Sequence, residues 1–322
     1  MSNRHPEMSI PGRKDGLVLG TAQLGLRYGV ANSAGMPADS EAIGLVRKAV
    51  AGGVRTIDTA RAYGDAERRV GLALQPGSPP TTVVTKLDPL DRIAPDASPE
   101  LAAAAARESI ALSCRALARE RLDVLALHRA AHRRMWQGAV WRLLLEERRQ
   151  GRIDRLGVSV QSPQEALEAL VDPDVGHLQL PFNVLDNRWV ETGVIEAIGK
   201  RADVIVHVRS VLLQGLLAGL TDDRWPVVAG VVPHEILGGL RRLVHELRRL
   251  SPADLCVAYV RAQPWIDGVV IGMETPSQLT ENLALFDAKP LALDEARAVE
   301  TRLPRVPEAL LDPARWPAVH AA

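Results

Sequence analysis

Eight short apolar runs of the kind expected for buried strands recur along the chain, and longer amphipathic stretches separate them. Each run spans three to five residues and is rich in Val, Ile and Leu, which is typical of strands covered on both faces. The predicted strands are residues 17–19, 56–59, 83–87, 124–128, 156–160, 178–182, 204–208 and 269–271.

The stretches between these runs show apolar residues at spacings of three and four, which predicts helices. Ser162 followed by Pro163 is a typical helix start, and Gly151 is a typical helix stop. The predicted helices are residues 40–50, 99–118, 136–149, a segment that begins at 163, 233–250, 253–263 and 276–286.

Strands that alternate with helices predict a parallel sheet with helical crossovers, an α/β architecture. Eight such units in about 300 residues favour a closed (β/α)8 TIM barrel over an open doubly wound sheet. No Gly-x-Gly-x-x-Gly fingerprint follows a strand. We therefore predict a single-domain barrel over residues 16–302, with an N-terminal tail (1–15) and an irregular C-terminal segment (303–322).

Composition narrows the class of protein. Lys plus Arg and Asp plus Glu number 39 each, so no net charge points to nucleic acid or to an anionic membrane. Two cysteines favour a reducing cytoplasm, and no apolar run is long enough to span a bilayer. No metal-ligand motif is present, and no pattern indicates the oligomeric state.

Four polar side chains of different chemistry follow three consecutive predicted strands. Asp58 ends the second strand with Tyr63 in the next loop, Lys86 ends the third, and His128 ends the fourth. Each alone has an ordinary explanation: a turn acid, a solvated amine or a structural histidine. Because active sites of such barrels lie at the C-terminal ends of the strands, the set together indicates catalysis.

These groups suit proton transfer to an oxygen. A tyrosine hydroxyl has a reference pKa near 10, and an ammonium about 4 Å away favours its phenolate by roughly 4 kcal/mol at an effective dielectric of 20. Asp58 would keep Lys86 charged and oriented, and His128 would hydrogen-bond a carbonyl oxygen. The assembly suits protonation of that oxygen as a hydride reaches the neighbouring carbon.

Ile57-Asp58-Thr59-Ala60, with Tyr63-Gly64 and Glu67, resembles the signature of the aldo-keto reductase family. The similarity covers about residues 17–285, and Asp58, Tyr63, Lys86 and His128 fall where that family has its catalytic residues. The resemblance implies a nicotinamide cofactor extended across the barrel mouth, NADP(H) by family habit with NAD(H) as the alternative. The segments 20–25 and 209–210 most resemble a bacterial branch from sugar and secondary-metabolite pathways.

The same resemblance implies three groups of cofactor-binding residues, near the nicotinamide, the pyrophosphate and the adenosine. They are Ser159, Gln179, Arg209, Ser210, Leu212, Gln214, Gly215, Thr275, Gln278, Glu281 and Asn282. The chain departs from the family pattern in four places, one of which is Gly272-Met273 in place of a frequent Lys-Ser pair. Val160 replaces an asparagine, Arg209 replaces an aromatic that stacks on the nicotinamide, and Gln278 replaces an arginine that binds a 2′-phosphate. A positive charge at Arg209 would disfavour the oxidised cofactor.

The sequence thus predicts a cytoplasmic enzyme that reduces an aldehyde or ketone with NAD(P)H, with Tyr63 as general acid. Two alternatives stay open: a nucleotide-binding regulatory barrel without turnover, and a redox-neutral epimerase or lyase. Tyr28, Arg129 and Trp136 are the tentative substrate residues, together with Arg61. Arginines there would suit a phosphorylated, acidic or sugar-like carbonyl compound.

Overall fold

Eight parallel strands close into one barrel. The computed structural model of the chain describes residues 16–30, 32, 34–219 and 221–316. Each strand pairs with the next, and β8 pairs with β1. The strands are β1 Leu17–Gly20, β2 Thr56–Asp58, β3 Thr82–Lys86, β4 Leu122–Leu127, β5 Ile153–Ser159, β6 His177–Pro181, β7 Ile205–Arg209 and β8 Gly268–Gly272. The prediction of a (β/α)8 barrel and of all eight strands is confirmed.

Twelve α-helices are present in the described ranges, and most lie between the strands. They are α1 Asp39–Ala51, α2 Ala66–Ala73, α3 Pro99–Leu117, α4 Ala139–Arg149, α5 Pro163–Leu170, α6 Arg188–Glu191, α7 Val194–Gly199, α8 Pro233–Glu246, α9 Pro252–Arg261, α10 Pro276–Asp287, α11 Leu293–Arg302 and α12 Glu308–Leu311. The predicted helices are confirmed with two changes: α8 ends at Glu246 rather than at 250, and α4 starts later than predicted. Regular helix begins at Ala139 rather than at 136, because Trp136 and Gln137 have positive φ.

Local sequence explains where several helices start. Ser98, Ser162, Ser251 and Thr275 each precede a proline, and each side-chain oxygen accepts a hydrogen bond from the backbone N–H three residues on. The side chain satisfies one of the free donors of the first turn, and proline occupies a position that needs no N–H. These caps fix the starts of α3, α5, α9 and α10.

A buried histidine pair lies inside the barrel. His177 of β6 and His207 of β7 are joined by a 3.0 Å contact between Nε2 and Nδ1. Two glycines on the flanking strands make room for the rings. A Cβ at Gly157 would lie 3.0 Å from His177 Nδ1, and one at Gly268 would lie 2.5 Å from His207 Cδ2. The pair forms a polar layer below Gln179, which is two residues further along β6.

The C-terminal segment contains a short helix that the sequence did not indicate. Leu310 and Leu311 of α12 are buried, so this part packs against the rest of the protein. The predicted tail, residues 1–15, lies outside the described residues, as do residues 317–322. No helix in the described ranges is long and apolar enough to cross a membrane.

Candidate active site

A buried ion pair lies at the C-terminal ends of β2 and β3. Lys86 Nζ donates to both carboxylate oxygens of Asp58 at 2.7 Å and to the carbonyl oxygen of Thr59 at 3.0 Å. The two side chains are 1% and 5% exposed. All three ammonium donors are therefore directed at oxygens, as a buried charge requires. Burial alone would lower the pKa of Lys86, but the Asp58 carboxylate and Tyr63 together outweigh it and the pKa is raised.

Gln179 completes this cluster from the opposite side of the barrel. Its Nε2 donates to Asp58 Oδ2 at 2.7 Å, across 121 positions of sequence. Gln179 is fully buried, and its Oε1 has no hydrogen-bond partner. An unpaired buried carbonyl oxygen is costly. The side chain is thus hydrogen-bonded at one end and unpaired at the other.

Tyr63 lies next to the ion pair and is positioned by two glycines. Lys86 Nζ is 5.1 Å from the centre of the phenol ring. Since the ammonium donors are already used, the ammonium acts on the phenol through its charge. Gly64 has φ +52°, and a Cβ there would lie 2.3 Å from Gly25 O; a Cβ at Gly25 would lie 1.8 Å from Tyr63 O. Only glycine at both positions permits this backbone contact.

His128 faces Tyr63 from the end of β4. The two rings meet edge to face, with centroids 6.0 Å apart. Burial, followed by the charges of Lys86 and Arg209, lowers the pKa of His128 to about 3. The imidazole is therefore neutral at neutral pH and carries one N–H. Asp58, Tyr63, Lys86 and His128 are brought together as the sequence indicated.

The arginines suggested for substrate are both engaged with carboxylates. Arg61 Nη1 donates to Glu67 at 2.5 Å, and Glu67, fully buried, also accepts from Thr85 Oγ1 at 2.7 Å. This network fastens α2 to β3. Arg129 pairs with Asp91 at 2.5 Å, and both side chains are 57% exposed. Arg129 thus lies at the surface beside His128, whereas Arg61 has a structural contact.

The two aromatic substrate candidates lie in different environments. Trp136 is 5% exposed, and its Nε1 donates to Ala94 O at 2.8 Å, so the indole is packed rather than open. Tyr28 is 41% exposed. Burial of its hydroxyl and the neighbouring Tyr63 raise the pKa of Tyr28, against the charges of Arg209 and Lys86. Tyr28 is the aromatic of the two that remains accessible beside the cluster.

The loop after β7 contains the four residues expected to lie along the pyrophosphate of the cofactor. Ser210, Leu213 and Gln214 all have positive φ, between 45° and 62°. Such backbone strain is concentrated at functional sites. Gln214 Oε1 accepts from Val30 N at 3.2 Å, which joins this loop to the β1–α1 loop. Leu212 and Gly215 lie within the same turn, where Gly215 N donates to Leu212 O at 2.8 Å.

Arg209 extends from the end of β7 towards the loop after β5. Its Nη2 donates to Gln161 Oε1 at 2.7 Å and to Val160 O at 3.3 Å, and its Nη1 lies 3.5 Å from Ser210 Oγ. Ser159, at the end of β5, is 7% exposed and is the register partner of Gln179. Arg209, Ser159 and Gln179 therefore border one side of the barrel mouth.

The residues expected at the adenosine end lie at the start of α10. Thr275 caps the helix, and Gln278 Oε1 accepts from the backbone N–H of Glu274 at 2.8 Å and of Thr275 at 3.3 Å. Gln278 Nε2 donates to Glu274 Oε1 at 3.1 Å. Beside them is a cleft of about 410 Å³ with Ser40, Glu41 and Lys48 of α1 on its far side. Glu281 accepts from Ser277 at the surface, and Asn282 is 8% exposed.

Two polar residues at the mouth were missed in the sequence. Gln161 holds Arg209, and the Gln23 side chain lies against β8, since a Cβ at Gly272 would be 2.2 Å from Gln23 Oε1. Each follows a strand by two or three residues, and that position is the signal that could have identified it. No group of three or more metal-ligating side chains occurs among the residues that the structure describes.

The site fits a nicotinamide cofactor in one observable respect. The free Oε1 of Gln179 needs a donor, and a primary carboxamide provides an N–H of that kind. Ser159, on the neighbouring strand, supplies a hydroxyl beside it. The residues present are therefore chemically suited to hold the carboxamide next to the Asp58–Lys86 pair.

Comparisons with known proteins give the family and the fold of the chain. The family model described as the aldo/keto reductase family matches residues 16–302. Solved structures with the same fold include aldo-keto reductase AKR11C1 from Bacillus halodurans in its holo form, at 21% identity over 90% of this chain and 92% of that chain, with a TM-score of 0.71. Glycerol dehydrogenase AKR11B4 from Gluconobacter oxydans matches at 22% identity over 92% and 93% of the two chains, with a TM-score of 0.66.

A third structure, a putative aldo-keto reductase from Pseudomonas aeruginosa, matches at 23% identity over 88% of this chain and 95% of that chain, with a TM-score of 0.61. At these identities the structural matches show the fold alone. Comparison with functionally curated proteins gives no significant match. The family model, which spans most of the barrel, carries the assignment: the chain belongs to the aldo/keto reductase family.

Proposed function

We propose that this protein reduces an aldehyde or ketone to an alcohol with NAD(P)H, and that Tyr63 is the general acid. The observation that carries the proposal is the contact of four groups at one end of the barrel. Tyr63 has the Lys86 ammonium 5.1 Å from its ring on one side and the His128 ring 6.0 Å away on the other. Family membership supports carbonyl chemistry at this site.

When bound, the dihydronicotinamide supplies a hydride to the carbonyl carbon. Ser159 and Gln179 are the residues proposed to hold its carboxamide, and the strained loop from Ser210 to Gly215 is proposed to lie along the pyrophosphate. Thr275, Gln278, Glu281 and Asn282 would surround the adenosine. Support for this assignment comes from the free Gln179 oxygen and from the resemblance of these segments to the family pattern.

Charge then builds up on the carbonyl oxygen, and the chain provides a donor for it. The proton of the Tyr63 hydroxyl passes to this oxygen, which leaves a phenolate. The Lys86 ammonium stabilises the phenolate through space, and Asp58 holds the ammonium charged and fixed. His128 is neutral and offers its N–H as a hydrogen bond to the same oxygen, which orients the carbonyl. Solvent returns the proton to Tyr63 after the product leaves.

The test is Tyr63→Phe, with Tyr28→Phe as the matched control. General acid catalysis contributes about 10²–10⁴-fold, so Tyr63→Phe should lower kcat by at least that order while the Kd of the reduced cofactor stays within about threefold. Tyr28→Phe, which removes the other phenol near the mouth, should keep kcat and show any loss in the KM of the carbonyl substrate. Wild-type turnover in Tyr63→Phe would contradict the assignment of the general acid.

The alternatives give different products. A regulatory barrel would bind the cofactor and transfer no hydride to any carbonyl compound. A redox-neutral epimerase or lyase would release product without net oxidation of the cofactor, and cofactor deuterated at the transferred position would leave no deuterium in a lyase product. The intact set of Asp58, Tyr63, Lys86 and His128 favours reduction over both. We also propose a cytoplasmic location, from the scarcity of cysteine.

A further inference from the structure

Arg209 is a partly buried cation whose contacts are all neutral. Its three hydrogen-bond acceptors are the Gln161 amide, the Val160 carbonyl and the Ser210 hydroxyl. The other cations around the mouth are paired differently. Lys86 binds Asp58, Arg61 binds Glu67 and Arg129 binds Asp91. Within the described residues, Arg209 forms no ion pair, so its charge is not compensated locally.

The guanidinium lies beside the residues proposed to hold the nicotinamide carboxamide. Arg209 ends β7, and its side chain reaches the loop that follows Ser159 at the end of β5. It therefore crosses the end of β6, the strand of Gln179, which lies between β5 and β7 in the barrel. A ring whose carboxamide contacts Ser159 and Gln179 would lie next to this charge.

The pKa of His128 shows that the surroundings at the barrel mouth destabilise a positively charged ring. Its imidazole can become a cation, and its pKa falls to about 3. Burial is the largest cause, and the next three are the charges of Lys86, Arg209 and Arg129. The mouth thus opposes a cationic ring for two physical reasons, poor solvation and neighbouring cations.

We infer that Arg209 makes this site bind the reduced nicotinamide cofactor more tightly than the oxidised one, so that the reduced form outcompetes the oxidised form for the site. The inference rests on the proposed function, since it places the nicotinamide at Ser159 and Gln179. The oxidised ring carries a positive charge and the reduced ring carries none, while the rest of the molecule is nearly the same. The repulsion from Arg209 therefore acts on only one of the two forms.

Binding measurements test this without turnover. Wild-type protein is titrated with NADH, NAD⁺, NADPH and NADP⁺ by calorimetry, with quenching of the six tryptophans as a second signal. We expect a Kd for the oxidised form at least about tenfold above that for the reduced form within each pair, which raises the two-electron potential of the bound couple by about 30 mV. A ratio near one in the wild type would overturn the inference.

Three variants assign the effect to one side chain. Arg209→Gln should bring the ratio of the two Kd values to within about threefold of one, mainly by tighter binding of the oxidised form. Arg209→Lys keeps the charge and should keep the ratio. Arg129→Gln, at an exposed and ion-paired arginine of the same mouth, should leave the ratio within about twofold of the wild type. An unchanged ratio in a folded Arg209→Gln would also refute it.

The two proposals fail in distinguishable ways. If the protein reduces carbonyl compounds through Tyr63 but binds both redox forms equally, the inference about Arg209 is wrong and the proposed function stands. If neither cofactor form binds, both are wrong. If Arg209→Gln weakens both forms equally, Arg209 contacts a part of the cofactor that they share, such as a phosphate, and the inference is wrong.

Discussion

Removal of the Lys86 ammonium should destabilise the fold strongly, and a second substitution should reverse part of the loss. Lys86→Met keeps the length of the side chain but deletes three donors. Asp58 Oδ1 then loses its partner, and Oδ2 retains only Gln179. The carboxylate, 5% exposed, becomes a buried charge without a counter-ion.

Loss of one partner of a buried pair costs about 3–5 kcal/mol. At about 2.1 cal/mol/K per residue, unfolding 322 residues changes the entropy by about 0.7 kcal/mol/K, so each kcal/mol lowers Tm by about 1.5 °C. Lys86→Met should therefore lower Tm by about 4–8 °C. In the double variant Lys86→Met/Asp58→Asn the charge is gone, and the amide oxygen introduced in place of the carboxylate can still accept from Gln179. The double variant should be about 2 kcal/mol more stable than Lys86→Met.

Urea unfolding of the wild type, both single variants and the double variant gives the coupling energy directly. All three variants should lack measurable carbonyl reduction, although their free energies of unfolding differ. Loss of activity therefore cannot be attributed to loss of stability. A single variant Lys86→Met within 1 kcal/mol of wild type, or a double variant no more stable than that single variant, would refute the reasoning.

Three further predictions follow from other parts of the barrel. Burial lowers the pKa of His177 far below 6.5 and that of His207 to about 4, so the folded protein keeps both rings neutral. The free energy of unfolding should be highest above pH 6.5 and should fall as the pH drops towards 4, by up to about 1.4 kcal/mol per pH unit for each ring, because only the unfolded state takes up the protons. In urea unfolding, His177→Asn should reduce this slope. His234→Asn, at an exposed position, should leave it unchanged. Gln278 uses its amide to cap α10 and is hydrogen-bonded to Glu274, so it has no free group for a 2′-phosphate. The Kd values of the wild type, measured by calorimetry, should therefore favour NADPH over NADH by less than about fivefold. Gln278→Arg should lower the Kd of NADPH at least tenfold and leave that of NADH unchanged. Gly64→Ala should lower kcat at least tenfold, because the added methyl group would lie 2.3 Å from Gly25 O and displace the loop of Tyr63. Gly151→Ala is the control, since Gly151 also has a positive φ of +75° but nothing within 4 Å. It should lower the free energy of unfolding by about 1 kcal/mol and leave kcat unchanged.

The barrel could be predicted because parallel strands leave a strong local signal. Both faces of each strand are covered, so the strands appear as short β-branched runs, and every predicted run lies within three residues of an observed strand. Helix α2 left no such signal. It buries Glu67 and Arg69, polar residues that a periodicity argument assigns to the solvent side, and they are satisfied by partners far away in sequence.

In the candidate site, too, some features could be predicted from the sequence and others could not. Asp58, Lys86 and His128 end predicted strands, so the fold brings them together once the strands are recognised. The contact of Gln179 with Asp58 spans the barrel and has no local signature, and neither has the pairing of Arg61 with Glu67. Sequence position indicated which residues face the mouth, but hydrogen bonding decides which of them remain free to meet a ligand.

The contact between Gly25 and Gly64 has a consequence for protein engineering. The loop that carries the phenol is held in place by main-chain atoms that touch. Libraries that vary exposed positions around the mouth, such as Tyr28 and Arg129, should therefore change which molecules enter without displacing the proton donor. The same contact makes the two glycines unsuitable for randomisation, because any side chain there would move the loop that carries Tyr63.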